Sequence, residues 1–243
     1  TLTLLYSSFM PYFSVPSIAM LQKATLKNYQ TLWESAAIKM AFFNSVFVSL
    51  MSATLTIGMT AIISWITVRT RVKGRQLLDM LAFAPIGVPS LVLATALMWL
   101  YLQVPLPIYG TLWIIIIAYV THYMPNGMRT CVSCMVQIHQ ELEEAAQMSG
   151  AGWWTTFSKI VVPLLKPGML AGWVYIALMS MREVSASVVL VGIKSNLLPV
   201  LIFDYWSENM YGAVASSSIV LIVFATTLVS ILYAMGGSLT RQK

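Results

Sequence analysis

The sequence predicts an all-α integral membrane protein with about six transmembrane helices, and two observations carry that prediction. Hydrophobic residues make up 58% of the 243 residues and charged residues only 9%, whereas about a quarter of a typical soluble domain is charged. The apolar residues also form long runs, because 42–68 and 80–128 contain no Asp, Glu, Lys or Arg. About 20 apolar residues cross the hydrocarbon core as a helix, so we expect a helical bundle in lipid.

The whole chain, 1–243, is interpreted as one transmembrane domain. Its predicted spans are 1–21, 42–68, 80–101, 110–128, 169–192 and 212–235. Proline within a span frees a backbone carbonyl that neighbouring groups must satisfy, so Pro85, Pro89 and Pro125 predict kinked helices. Between the fourth and fifth spans lies 129–168, the one long connection on its side of the bundle.

Basic residues indicate how the spans are oriented. Nine of the fourteen Lys and Arg residues fall on one side of the predicted bundle, and four fall on the other. Cytoplasmic loops carry an excess of basic residues, so the side with nine is expected to be cytoplasmic, together with both termini. The net charge of +6 is therefore attributed to orientation in the membrane and not to a nucleic-acid partner.

The long connection has the pattern of two short helices around a corner. Glu141 to Ser149 consists of good helix formers, with acidic residues in the first turn, where they complement the helix dipole. Gly150 predicts a stop. A second short helix is expected from Trp153 to Val162, ended by Pro163, which cannot continue it. This shape suits docking against another protein or packing under the bundle.

Six residues of this connection also stand at a characteristic spacing: Glu144, Ala145, Ala146, Gly150, Ile160 and Pro163. Glu-Ala-Ala is followed after three residues by Gly, and after nine more by Ile-Val-Val-Pro. The pattern resembles the EAA loop in permeases of binding-protein-dependent ABC importers of type I. Those permeases usually have Leu where this chain has Val162, a conservative difference.

The resemblance extends over most of the chain and is strongest to the ferric-iron branch of that family. The segments 182–190, 198–204 and 211–213 are similar to that branch. Two six-helix halves are often fused in those permeases, so the resemblance implies that this chain is a C-terminal half. Permeases for thiamine, phosphonate and polyamines share the architecture, and the cargo stays open among these solutes and ferric iron.

The resemblance implies a permease that is not itself an enzyme but is coupled to one. A separate dimeric ATPase would use the ATP, since this chain has no GxxxxGK[ST] loop to hold phosphates. The coupling helix carrying Glu144, Ala145 and Ala146 would insert into a groove on that ATPase. The other implied partners are a second permease half, an external substrate-binding protein and the lipid of a bacterial inner membrane. No cofactor or metal site is expected on this chain.

Arg182 and Glu183 are expected to interrupt the fifth span. A charge near the bilayer centre costs at least ~2.5–3.5 kcal/mol, and adjacent helical residues point about 100° apart. Each charge therefore needs a partner on another helix, a polar cavity or the outer interface. Two roles stay open for this pair: a gate or pathway element, together with Ser185, or a structural contact between helices.

Two other function classes compete with an importer subunit. A secondary transporter or channel would work without ATP, and a membrane scaffold would not transport at all. Neither needs a cytoplasmic docking loop. Secondary transporters are often built from inverted repeats with broken helices, and the sequence contains no such repeat within its 243 residues.

Overall fold

The computed structural model describes residues 1–12, 17, 20, 22–104 and 108–240, with side chains up to Ser230. Helices dominate these ranges, and no strand occurs within them, so the predicted all-α class is confirmed. In chain order the α-helices are α1 Leu2–Ser8, α2 Lys27–Glu34, α3 Ala36–Arg69, α4 Arg75–Phe83, α5 Ser90–Gln103, α6 Leu112–Gln137, α7 Glu141–Met148, α8 Trp153–Thr156, α9 Val162–Met181, α10 Ser187–Leu190, α11 Leu198–Ser207 and α12 Tyr211–Thr240.

Three helical stretches in the described part of the chain are long and apolar enough to cross a membrane: Ala36–Arg69, Trp153–Met181 and Tyr211–Ser230. A fourth is counted if Arg75–Gly87 and Ser90–Gln103, which meet at a bend of 111°, form one span. The protein is therefore a multi-pass membrane protein. The count of six spans and the interpretation as one domain stay predictions.

The first predicted span, 1–21, is not one continuous helix. Helix α1 ends at Ser8, and the side-chain amide of Asn28 donates to the backbone oxygens of Ser8 (3.0 Å) and Met10 (2.9 Å). A carbonyl at the end of a helix needs a partner from outside the helix, and Asn28 supplies it there. Residues 13–16, 18–19 and 21 of this predicted span lie outside the described residues.

The third predicted span, 80–101, is sharply bent. Helix α4 passes into a 3₁₀ turn, Ala84–Gly87, and α5 begins directly after Pro89. Proline has no N–H to donate and its ring clashes with the carbonyl four residues earlier, which accounts for the break. The kinks expected at Pro85 and Pro89 are thus confirmed, whereas Pro125 lies inside the continuous helix α6.

The chain divides into two compact units, each built from several segments. The first consists of Thr1–Val48, Met98–Ile115 and Met181–Lys243, and within it α1, α2 and α11 pack against α12. The second consists of Ser49–Leu97 and Ile116–Ser180. The second unit therefore holds all of the EAA-like residues.

Helices α3 and α6 pack closely in the second unit through small side chains. On α3, Ser52, Thr56, Thr60 and Ser64 are buried. A methyl group added at Gly127 of α6 would lie 2.8 Å from the hydroxyl oxygen of Thr60, so that glycine is in direct contact with α3. Small residues let helix backbones approach closely in membranes. This close approach fixes the position of the end of α3, on which the candidate site is built.

Candidate functional site

The EAA-like segment begins on α7. This helix covers Glu141–Met148 and carries three glutamates in its first turn, where negative side chains are stabilised by the helix dipole. Glu144 and Ala145 are exposed, and Ala146 is half-buried. The predicted helix is confirmed, and it presents an acidic residue and a small residue to the surroundings.

The corner after α7 is a left-handed turn at Gly150. Its φ is +82°, a conformation that costs glycine almost nothing and other residues much more. The Gly150 N–H donates to the oxygen of Gln147 (2.9 Å), and the Ala151 N–H donates to that of Ala146 (3.0 Å). These two bonds form the Schellman arrangement that ends many helices. The helix stop predicted at Gly150 is confirmed, and its role in coupling stays a prediction.

The second helix begins at Trp153 as predicted, but it does not end at Pro163. Helix α8 passes into a π-turn, Phe157–Val161, and continues through α9. In a regular α-helix the Pro163 ring would clash with the carbonyl of Lys159, and the wider turn directly before Pro163 relieves that conflict. Ile160 is half-buried within this turn, and Pro163 is exposed.

A buried ion pair ties α7 to the rest of the second unit. Glu143 is the buried residue of α7, with 4% of its surface exposed. Its Oε1 lies 3.0 Å from Nε of Arg69, and its Oε2 accepts a 3.0 Å hydrogen bond from the indole N–H of Trp65. Nη2 of Arg69 also donates to the backbone oxygens of Met135 (2.9 Å) and Ile138. One guanidinium group, carried by the last residue of α3, thus contacts both the end of α6 and α7.

An apolar cluster surrounds this ion pair. The rings of Trp153 and Phe157 are stacked with centroids 5.7 Å apart, and Trp65 meets Trp153 edge-on at 5.3 Å. Such pairs stabilise a core beyond the burial of their surface. The residues buried together in this cluster are Trp65, Met135, Phe157, Val161 and Leu165. Both helices of the corner are therefore held against α3, one by charge and one by aromatic packing.

Glu143 and Trp65 are not among the site residues predicted from the sequence, and Arg69 is predicted only as one of the nine basic residues on the expected cytoplasmic side. One partial signal was available: Trp65 and Arg69 stand four residues apart, so they share one face of α3. Trp65 and Glu143, however, are 78 residues apart in the chain, and no local pattern pairs them. The contact exists because α3 and α6 pack in register.

The second predicted group, Arg182, Glu183 and Ser185, belongs to the first unit. Helix α9 ends at Met181, so the charges follow a helix and do not interrupt one, and the predicted helix over 169–192 is too long. The Glu183 carboxylate accepts a hydrogen bond of 3.2 Å from the backbone N–H of Ala186, which favours a turn over further α9. Arg182 and Ser185 are exposed, and Glu183 is half-buried.

The loop after α10 presents an apolar side chain on a fixed backbone. Ile193 is 96% exposed. The side-chain amide of Asn44 donates to the backbone oxygens of Lys194 (3.2 Å) and Asn196 (3.0 Å). Because these bonds hold two of the three residues that follow Ile193, Ile193 lies on a hydrogen-bonded loop within the first unit.

Comparison with known proteins identifies relatives of this chain. Residues 55–241 match the family described as "Binding-protein-dependent transport system inner membrane component". The "Fe(3+)-transport system permease protein FbpB 2" of Haemophilus influenzae is 27% identical over 185 residues, which cover 76% of this chain and 37% of that protein. The "Probable sulfate transport system permease protein cysT" of Chlorokybus atmophyticus is 33% identical over 254 aligned positions, covering 94% of this chain and 87% of that protein.

The chain thus spans little more than a third of the length of the ferric-iron relative and most of the sulfate relative. A solved structure described as a bacterial alginate ABC transporter in complex with an alginate pentasaccharide-bound periplasmic protein has the same fold. Its TM-score is 0.74 at 18% identity, with 92% of this chain and 86% of that chain covered. The chain therefore belongs to the family of binding-protein-dependent transport system inner membrane components and has the fold of an ABC importer permease.

Proposed function

We propose that this chain supplies half of the translocation pathway of an ATP-driven importer and couples it to a separate ATPase through α7. The observation that carries the proposal is the geometry of the corner. Glu144 and Ala145 are exposed, while Glu143, the next residue back on the same helix, is buried against Arg69 and Trp65. A helix bound on one face and open on the other is suited to receive a partner and to pass its movement on.

The partner is proposed to be a dimer of cytoplasmic ATPase subunits, which bind and hydrolyse the ATP, so that this chain needs no cofactor of its own. The small side chains of Ala145 and Ala146 allow a groove on the ATPase to approach closely, and Glu144 offers a carboxylate to a basic residue there. Closure of the ATPase dimer would then bias the bundle between inward-open and outward-open states.

The remaining partners follow from the same assignment. Nine of fourteen basic residues lie on one predicted side, which supports cytoplasmic termini in a bacterial plasma membrane. An external binding protein would then meet the opposite side, which includes the loop around Ile193. A second permease half, fused or separate, would complete the pathway, with lipid around both.

For the cargo we propose ferric iron, as in the similar permease of Haemophilus influenzae. Sulfate is the alternative that the second relative favours, and thiamine, phosphonate and polyamines stay open. No group of three or more His, Cys, Asp or Glu side chains among the described residues is placed to hold a metal ion. Iron would therefore pass without a strong site, and the external binding protein would set specificity. Identifying the solute that copurifies with that binding protein decides between these cargoes.

Reversing the charge at Glu144 tests the proposed function. We expect Glu144→Arg to lower copurification of the cognate ATPase at least fivefold, because a carboxylate facing the ATPase becomes a cation. The matched control is Glu34→Arg on α2, which changes a glutamate that is also exposed on the proposed external side and should leave binding unchanged. Full ATPase binding and full ATP-driven uptake in Glu144→Arg vesicles would remove α7 from the coupling route and favour an ATP-independent transporter.

Arg182, Glu183 and Ser185 remain our candidates for a gate or pathway element. We expect Arg182→Ala and Glu183→Ala to reduce ATP-driven uptake severalfold, since both charges follow the end of a helix that is long enough to cross the membrane. ATPase association should stay normal, because the changes lie outside the coupling corner. Uptake measured in vesicles decides the role: wild-type rates in both variants would assign the pair to local structure.

A further inference from the structure

Helix α7 depends on its contacts for both its stability and its direction. It has eight residues, and isolated helices shorter than about 12 residues are marginal in water. Its anchor in the described structure is Glu143, a carboxylate, where most surface helices use apolar side chains. Apolar contact is non-directional, so it would allow α7 to rotate or slide. Glu143 instead lies within ion-pair distance of Arg69 and accepts a hydrogen bond from Trp65, and a hydrogen bond requires a defined angle and distance.

The cation of this contact is shared between elements. Arg69 reaches Glu143 through Nε and the last turn of α6 through Nη2, with 3.0 Å to the carboxylate and 2.9 Å to the Met135 oxygen. The C-terminal end of a helix carries partial negative charge and attracts cations. Planar guanidinium groups suit such multiple contacts. Displacing α7 therefore changes the geometry of Arg69 and exerts force on the ends of α3 and α6 together.

Trp65 fixes the second carboxylate oxygen. Its indole N–H donates to Oε2 of Glu143 at 3.0 Å, and its ring packs against Trp153 on the other arm of the corner. Both oxygens of Glu143 are thus held by residues one turn apart on α3. The carboxylate cannot follow α7 in a rotation without breaking one of the two contacts.

We propose that Arg69 and Glu143, supported by Trp65, form a positioning joint that transmits movement of α7 to α3 and α6. This inference rests on the proposed function, because it presumes that an ATPase moves α7. The joint assigns the two acidic neighbours on α7 different tasks. Glu144 faces the partner, and Glu143 connects the helix to the bundle.

The variant Glu143→Gln tests the contact between Glu143 and Arg69 separately from the folding of α7. Glutamine keeps the shape of the side chain and an acceptor for the Trp65 N–H, while Arg69 retains its two backbone oxygens. In the complex of permease, cognate ATPase and cognate external binding protein, an external protein that favours the state in which the ATPase dimer closes shifts the whole complex toward that state. The external protein should therefore stimulate ATP hydrolysis in the wild-type complex, and we set fivefold as the expected stimulation. For Glu143→Gln we expect normal ATPase binding with stimulation below twofold.

Two further variants complete the experiment. Arg71→Gln removes an exposed charge two residues after Arg69, outside the proposed docking helix, and should behave as wild type. The double variant Arg69→Gln/Glu143→Gln should lose no more stimulation than Glu143→Gln alone, because residues that act as one unit are not additive. A larger loss in the double variant would be expected if Arg69 supported coupling independently of Glu143.

The outcomes distinguish the joint from the proposed function. A wild-type complex without ATPase binding or without stimulation overturns the proposed function and the joint with it. A stimulated wild-type complex together with equally stimulated Glu143→Gln and double variants overturns the joint alone. Loss of stimulation strictly in proportion to lost ATPase binding also overturns it, since Glu143 would then only support the docking surface.

Discussion

Arg69→Ala is expected to lower the free energy of unfolding by about 3–5 kcal/mol, the cost of leaving a buried charge without its partner. Glu143 is 4% exposed and loses the cation 3.0 Å away, while the backbone oxygens of Met135 and Ile138 lose the hydrogen bonds from Arg69. Thermal and denaturant unfolding of the purified protein in detergent measures the change. Arg71→Ala, two residues after Arg69 in the chain but exposed, is the control. It should shift the free energy of unfolding by less than about 0.5 kcal/mol.

A paired replacement shows whether the charge is the cause. Arg69→Leu/Glu143→Leu removes both charges and keeps apolar volume, and such swaps of buried pairs are often close to neutral. We expect the double variant to be clearly more stable than Arg69→Ala. Equal losses in the two variants would mean that the packing of the Arg69 side chain, and not the ion pair, stabilises this region.

Gly150→Val is expected to reduce ATP-driven uptake at least tenfold in a chain that still folds and inserts. A β-branched residue at φ +82° is strained by about 1–3 kcal/mol, and the corner can relieve that strain by changing its direction. The direction of the corner sets where Glu144 and Ala145 lie relative to the bundle, so docking suffers more than stability. Uptake in vesicles and unfolding in detergent, measured on the same preparation, separate the two effects.

Two further variants serve as references for the uptake of Gly150→Val. Gly150→Asn should lie between wild type and valine, because Asn adopts the left-handed conformation more readily than most residues. Gly152→Ala should be near wild type, since Gly152 has φ −71° and a Cβ there meets nothing within 4 Å. Valine at 150 with normal uptake would show that the left-handed turn is dispensable.

Features set by local chemistry could be predicted from the sequence. Uncharged runs such as 42–68 require lipid or a partner, and α3 covers that run. Gly150 needs only its own φ and two hydrogen bonds from neighbouring residues, so its stop was predictable. The break at Pro85 and Pro89 follows from the missing N–H groups in the same way.

Features set by distant contacts could not be predicted. At the end of helix α1, the Ser8 carbonyl accepts a hydrogen bond from an amide 20 residues further along the chain. The helix through Pro163 continues because a π-turn precedes it. No residue type in that segment predicts a π-turn. The sequence does not distinguish Glu143 from the other acidic residues of α7, because its contacts with Arg69 and Trp65 exist only in the folded chain.

Cross-linking from α7 tests the central claim most directly. A photoreactive cross-linker attached at Ala145→Cys, which is exposed on α7, should capture the cognate ATPase in assembled membranes, in an amount that changes when ATP is added. The same cross-linker at Trp33→Cys on α2, where Trp33 is 78% exposed, should capture none. Capture of the ATPase from Trp33→Cys, or its absence from Ala145→Cys in membranes that retain ATP-driven uptake, would contradict coupling through α7.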